Sequence, residues 1–273
     1  MNHALLPDAR KRNVLGVMVT AIQPSEAVAD ILAAARERRP LSVTATAVHG
    51  LMVGVEDAEH RYRLNHFDMV LADGQPVRWA LNLLHRTGLR ERVAGPDLMG
   101  RLCEAAALEG LPIYLFGSTP ETLQKLTSRL LQRLPNLVIA GTSPSRFRRQ
   151  TSDEVEETAA AIRASGAALV LVGLGCPRQE VWAYENRDLL GLPVIAVGAA
   201  FDFHAGTIPR APGILGRLGL EWLFRLALEP RRLWRRYLRL NPLYLGLLGL
   251  QAAGLRRFDS AGPLPPRTTE RYG

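Results

Sequence analysis

Residues 168 to 197 read ALVLVGLGCPRQEVWAYENRDLLGLPVIAV, and this stretch decides the fold. Ala168–Val172 is an apolar run of strand length, stopped by Gly173. Pro177–Leu189 follows as a helical pattern with proline near its first position, where the missing N–H costs little. Val194–Val197 is a second buried run. Two such strands joined through a helix form a crossover unit, and the same alternation recurs along the chain. Further strands are read at Val14–Thr20, Leu41–Thr46, Met69–Ala72, Ile113–Phe116 and Leu137–Ala140. Helices are read at Ser25–Arg38, Pro76–Leu84, Pro96–Leu108, Pro120–Leu134 and Asp153–Ala164. The pattern predicts an α/β fold with a doubly wound, mostly parallel, Rossmann-like sheet, whose ligands sit beyond the strands' carboxyl ends.

From Ala211 the strands stop and helical segments take over, broken at Pro230 and Pro242. Residues 1–210 are read as the α/β domain, 211–258 as a helical appendage, and 259–273 as a tail without fixed structure. The 273-residue chain carries 47% hydrophobic and 22% charged residues, as a globular protein does, and a net charge of +8. That charge is uneven: between Arg217 and Arg257 there are nine arginines and two acids, Glu221 and Glu229. Trp222, Leu226, Leu233, Trp234 and Tyr237 interleave with the cations, which suits a surface with lipid and phosphate character. A solvated basic face or a nucleic-acid contact would use the same cations. Two cysteines, Cys103 and Cys176, make no disulfide framework. Met1 to Lys11 lacks the apolar core of a signal peptide, and Leu243–Leu255 is too short to span a bilayer. These features predict a cytoplasmic protein, peripheral at most to the inner face of the membrane.

Chemistry is expected where strands end. Asp73 with Gly74 follows the strand Met69–Ala72. Its carboxylate suits a general base, although Asp-Gly is equally a turn pair. Gly117 and Ser118 follow Phe116 and read either as a phosphate-binding loop or as a tight turn capped by Thr119. Gly173, Gly175 and Pro177 do the same after Val172. That loop is not the dinucleotide fingerprint, because Arg178 stands at the third glycine, and a nicotinamide enzyme is disfavoured. Gln179 and Glu180 lie in the first turn of the next helix, as sugar or nucleotide contacts or as partners of the helix dipole. Arg92, Gly95 and Asp97 form a polar group before another helix, and a guanidinium suits a diphosphate. No Asp-x-Asp pair exists, and no His, Cys and carboxylate group has metal-ligand spacing, so neither metal nor other cofactor is expected.

Four segments in order resemble the WecG/TagA/CpsF family of bacterial glycosyltransferases over roughly residues 13 to 240. They are Ala72 to Pro76, Arg92 to Met99, Gly173 to Glu180, and Gly198–Pro212 continued by Gly219–Tyr237. The resemblance implies a metal-independent, inverting transfer of a hexose or N-acetylhexosamine(-uronate). The donor would be a UDP-sugar and the acceptor a sugar on undecaprenyl diphosphate. It makes Asp73 the base, and it adds Asp202 to the binding residues. Arg225, Arg232, Arg235 and Arg239 are read as contacts to the lipid diphosphate and the anionic membrane. The family's usual Thr-x-Asn is absent: the chain reads Thr44 to His49 without asparagine, leaving Thr46 and His49 as candidate contacts. A nucleic-acid-binding module without catalysis is the alternative reading; on the preferred one no nucleic acid is bound, and a homo-oligomer is left open.

Overall fold

A computed structural model describes residues 9–260 and 265–273. The reading of residues 1–8 as lacking a signal peptide, and that of residues 261–264 as unstructured, lie outside the described residues. The strands are β1 (Lys11–Val14), β2 (Val17–Thr20), β3 (Leu41–Thr46), β4 (Met69–Ala72), β5 (Ile113–Gly117), β6 (Ile139–Ser143), β7 (Leu169–Gly173) and β8 (Pro193–Ala196). They form one sheet in the order β1-β2-β4-β3-β8-β7-β5-β6, parallel except for the β1–β2 pair. The predicted doubly wound α/β fold is therefore present.

Helices cover both faces. On one lie α1 (Pro24–Arg36), α5 (Gly95–Glu109), α6 (Pro120–Arg133) and α9 (Ala200–Ala205). On the other lie α2 (Val48–Glu56), α3 (Ala58–Asn65), α4 (Gln75–His85), α7 (Ser152–Ala164) and α8 (Arg178–Leu190). Strand residues alternate between the two cores: Met69 and Leu71 face the first, Val70 and Ala72 the second. Burial on both sides explains why the strands read as continuous apolar runs. The helices after β3 and β8 leave toward opposite faces, which opens a crevice beyond those two neighbouring strands.

Three expectations need correction. Val14–Thr20 is a hairpin, not one strand: Leu15 and Gly16 turn it at φ +55° and +89°, the backbone of a tight two-residue loop. The expected break at Pro242 does not occur, because it lies inside α12 (Pro230–Ala252). Lacking an N–H, Pro242 withholds one bond from the Leu238 carbonyl, and exposed Leu238 leaves that carbonyl to water. Nor is the segment after residue 211 separate from the core. The short helices α10 (Gly213–Arg217) and α11 (Glu221–Leu228) lead into α12, whose Leu240, Tyr244 and Leu248 sit at i, i+4 and i+8 within the second core. Gln251 accepts from the Leu15 N–H at 2.9 Å and donates to the Asn13 carbonyl at 3.2 Å, pinning α12 to the hairpin.

The described part of the tail, read as unstructured, lies along the domain. Glu185 accepts from the backbone of Glu270 and Arg271, and Arg149 bridges to Tyr272.

Candidate active site

Asp73 stands beyond the end of β4, its N–H donating to the Thr46 carbonyl at 3.1 Å. Val93 donates to the Ala72 carbonyl at 2.9 Å, which lays Arg92 and Gly95 over the same strand end. The carboxylate lies by the backbone N–H of Gly95, the first residue of α5, where the helix dipole favours an anion. A Cβ at Gly95 would meet the Val197 carbonyl oxygen at 2.8 Å, so only glycine allows this approach. The carboxylate keeps a partial opening to solvent, yet burial pushes its pKa up to about 7. Arg92 and the Gly95 N–H pull it down, while Glu221 and Asp97 push it further up. A carboxyl that titrates near neutrality suits proton transfer.

Arg92 is held by the Glu221 carboxylate of α11. The helical segment after residue 211 therefore closes over the site. Gly219, at φ +73°, rests on Trp79 of α4, whose ring a Cβ would meet at 2.8 Å. Gly74 caps α4 in extended conformation. Asp97 pairs instead with Arg210 at 2.5 Å, both about half exposed. Asp202 lies within α9 and accepts from the hydroxyl of Thr207, in the turn that follows, at 3.1 Å.

The glycine loops resolve toward packing. Gly117, at φ +108°, lies against the Gly173 backbone, and a Cβ there would come within 2.8 Å of it. A Cβ at Gly173 would strike the Phe201 ring at 2.6 Å. The Ser118 N–H is engaged by the Gly173 carbonyl at 3.0 Å, and Thr119 caps α6, so the tight-turn reading describes this loop. Gly175 is different: at φ +77° it has open space where a side chain would be. Pro177 begins α8.

Gln179 and Glu180 are buried rather than displayed, 3% and 2% exposed. Gln179 lies beside Gly198 and donates to Glu180 Oε1 at 2.9 Å, which also accepts from the Thr44 hydroxyl at 3.0 Å. Thr46 is buried too, its hydroxyl 3.5 Å from that of Thr44. His49, at the start of α2, has its pKa lowered to about 4 by burial and by Arg236, so it is neutral at pH 7.

The four tail arginines do not form one stripe. Arg225 lies on α11 and turns inward over the Phe203 ring. Arg232 pairs with Glu229 at 2.6 Å, Arg239 with Glu56 at 2.7 Å, and Arg235 stacks on Trp234. Around the last three, Leu228, Trp234, Leu238 and Leu245 are exposed. Among the described residues no helix is long and apolar enough to cross a membrane. The fold also gathers a His, Cys and carboxylate group that no sequence spacing reveals. His60, Cys176 and Glu180 offer ligand atoms within 4.8 Å of one another. Chain separation hid them, since α3 lies far from the β7–α8 loop in sequence.

A mostly parallel α/β sheet with a carboxyl, a helix N-terminus and an arginine gathered at its crevice, and no dinucleotide fingerprint, fits a group-transfer enzyme better than a nicotinamide enzyme. Residues 12–258 match the model of the Glycosyl transferase WecG/TagA/CpsF family, and the chain belongs to that family. It is a glycosyltransferase of the kind used in cell-surface polysaccharide synthesis, with a sugar nucleotide donor and a lipid-linked acceptor as its kinds of substrate. The match runs to residue 258 and so includes all of α12.

Proposed function

We propose that the protein is an inverting glycosyltransferase that moves a hexose or N-acetylhexosamine(-uronate) from a UDP-sugar to a sugar on undecaprenyl diphosphate. The observation that carries this reading is Asp73, a strand-end carboxyl whose pKa lies near 7. Its carboxylate accepts the proton of the acceptor hydroxyl as that oxygen bonds to the anomeric carbon. The bond from the anomeric carbon to the diphosphate oxygen breaks on the opposite side, and UDP leaves with the electron pair. Proximity of Arg92 to Asp73 supports placing the diphosphate there, its charge met by Arg92 and helix N-termini without a metal ion. Open Gly175 supports a donor approach along the β7–α8 loop. The exposed Leu, Trp and Arg face of α12 supports docking to the anionic inner face of the membrane, where the lipid acceptor resides.

The test is a panel of UDP-sugars against lipid-diphosphate-linked sugar acceptors, with UDP release and product mass as readouts. Transfer from one or more donors, lost in Asp73→Asn, is the expected result. A folded Asp73→Asn variant with near-normal turnover refutes the assignment.

A further inference from the structure

The group formed by His60, Cys176 and Glu180 plays no part in the mechanism above. It draws on separate elements: His60 on α3, Cys176 in the loop after β7, and Glu180 in the first turn of α8. His60 is 1% exposed and Glu180 2%. Asp57 caps α3 by accepting from the His60 N–H at 3.1 Å, which fixes the helix start that carries the ring.

The polar atoms here are incompletely satisfied. Both ring nitrogens of His60 are buried without a hydrogen-bond partner, and Glu180 Oε2 has none beyond the neighbouring Cys176 thiol. Its other oxygen, Oε1, is fully used by Thr44 and Gln179. Buried polar groups are nearly always partnered, so a fully unpartnered imidazole beside a carboxylate oxygen met only by a thiol calls for a missing partner. The arrangement also resembles a metal centre's outer layer, in which hydrogen bonds to one carboxylate oxygen aim the other at the ion.

We propose that His60, Cys176 and Glu180 bind a zinc-class divalent ion through one imidazole nitrogen, the Cys176 sulfur and Glu180 Oε2, leaving a fourth position for water. The donor set selects the ion. Nitrogen, thiolate sulfur and one carboxylate oxygen suit Zn²⁺ or Co²⁺, whereas Mg²⁺ and Ca²⁺ take oxygen ligands. Around a tetrahedral zinc ion these atoms would lie roughly 3.3–3.6 Å apart, from bond lengths of about 2.0–2.3 Å. The observed limit of 4.8 Å leaves about an ångström of closure, within reach of side-chain rotation.

Charge balance supports the same ion. A dication with one thiolate, one carboxylate and one neutral imidazole is neutral overall, which a buried site tolerates. Loading forms one bond to each ligand atom and passes the thiol and carboxyl protons to water. Arg236 of α12 lies near enough to the thiol to favour its thiolate. Cys176 is only partly buried and lies in the glycine loop. Bound metal would tie α3 to the β7–α8 loop, beside Thr44 and the crevice.

The experiment uses full-length protein stripped with EDTA, dialysed, and titrated with Zn²⁺ by calorimetry and with Co²⁺ by absorption. We expect one ion per chain, a Co²⁺ spectrum with intense tetrahedral bands and a thiolate charge-transfer band, and a raised Tm on Zn²⁺ loading. Cys176→Ser should abolish the charge-transfer band. Glu180→Gln and His60→Gln should each lower Zn²⁺ affinity by more than roughly 10–100-fold, the cost of losing even an outer-layer partner. Should a variant fail to fold, the wild-type Co²⁺ spectrum decides alone. An octahedral spectrum without a thiolate band, a band that persists in Cys176→Ser, or wild-type Zn²⁺ binding no tighter than that of folded variants overturns the proposal. None of these readouts requires sugar transfer.

Discussion

Replacing Asp73 with Asn should make the protein more stable and inactive at once. Asn mimics the protonated carboxyl, so the variant never holds a charge among the groups that disfavour it. The folded pKa rises from 3.8 to about 7, roughly three units at about 1.4 kcal/mol each, or at most about 4 kcal/mol. Solvent at the partly open carboxylate reduces this to roughly 1–3 kcal/mol. Because the folded state binds this proton more tightly than the unfolded chain, the wild-type penalty is absent below pH 3.8. It grows between pH 4 and 7 and is complete above 7. Urea unfolding followed by tryptophan fluorescence should show the variant more stable at pH 8, with the gap less than half as large at pH 5. Transfer should fall by roughly 10²–10⁴. In wild type, kcat/KM should rise about tenfold per pH unit up to 7 and then level, as expected when the base must be deprotonated. A variant no more stable than wild type at pH 8, or a gap unchanged between pH 5 and 8, would refute the environment argued for Asp73.

Arg92→Gln should move the acid limb of the pH profile upward, since Arg92 holds the Asp73 pKa down, and should cut transfer by at least about tenfold through loss of a charge-assisted contact; an unshifted limb argues against their coupling. Gly173→Ala should lower Tm or soluble yield by forcing a methyl into the Phe201 ring, at roughly 1–3 kcal/mol, and wild-type stability would show that the loop yields freely. Transfer should survive EDTA, and restoration of lost activity by Mg²⁺ or Mn²⁺ would contradict the arginine-and-dipole treatment of the diphosphate. Joint Arg235→Ala, Trp234→Ala and Leu238→Ala replacement should abolish pelleting with anionic liposomes while leaving the buried face of α12 intact; undiminished pelleting removes α12 from the membrane.

Much of the sheet was legible because its central strands bury both faces and so appear as apolar runs, β5 and β7 with glycine at their ends. Asp73 was legible for the same reason, as the first charge after Ala72. What stayed hidden depended on distance or on weak local pattern. α3 is polar along most of its length and shows no apolar period, and α2 carries two glycines. Gly54 is there because a Cβ would meet Leu64 at 2.9 Å, a contact invisible in one dimension. Gly117 and Gly173 looked like phosphate loops because small residues also serve where two backbones touch. Arg92 and Glu221, and His60 with the Cys176 and Glu180 segment, are more than a hundred positions apart, and no local spacing encodes these contacts.

The C-terminal helices bind the site to the surface electrostatically as well as sterically. Glu221 and Arg92 act on Asp73 with opposite sign, and each also holds the other in place. Glu221 is carried by α11, which buries none of its residues, while the next helix is anchored through Leu240, Tyr244 and Leu248. The less buried helix therefore carries the charge and the next one carries the core contacts. Moving α11 takes away the carboxylate that raises the Asp73 pKa and leaves Arg92 to lower it unopposed. Asp73 then becomes more fully ionised at pH 7 but a weaker base, and Arg92 gains an open face for an incoming anion. Truncation after Arg210 confounds these effects with loss of the second core, since Tyr244 also donates to the Pro76 carbonyl at 2.9 Å. Glu221→Gln separates them, because it removes the charge while leaving the core contacts of α12 untouched.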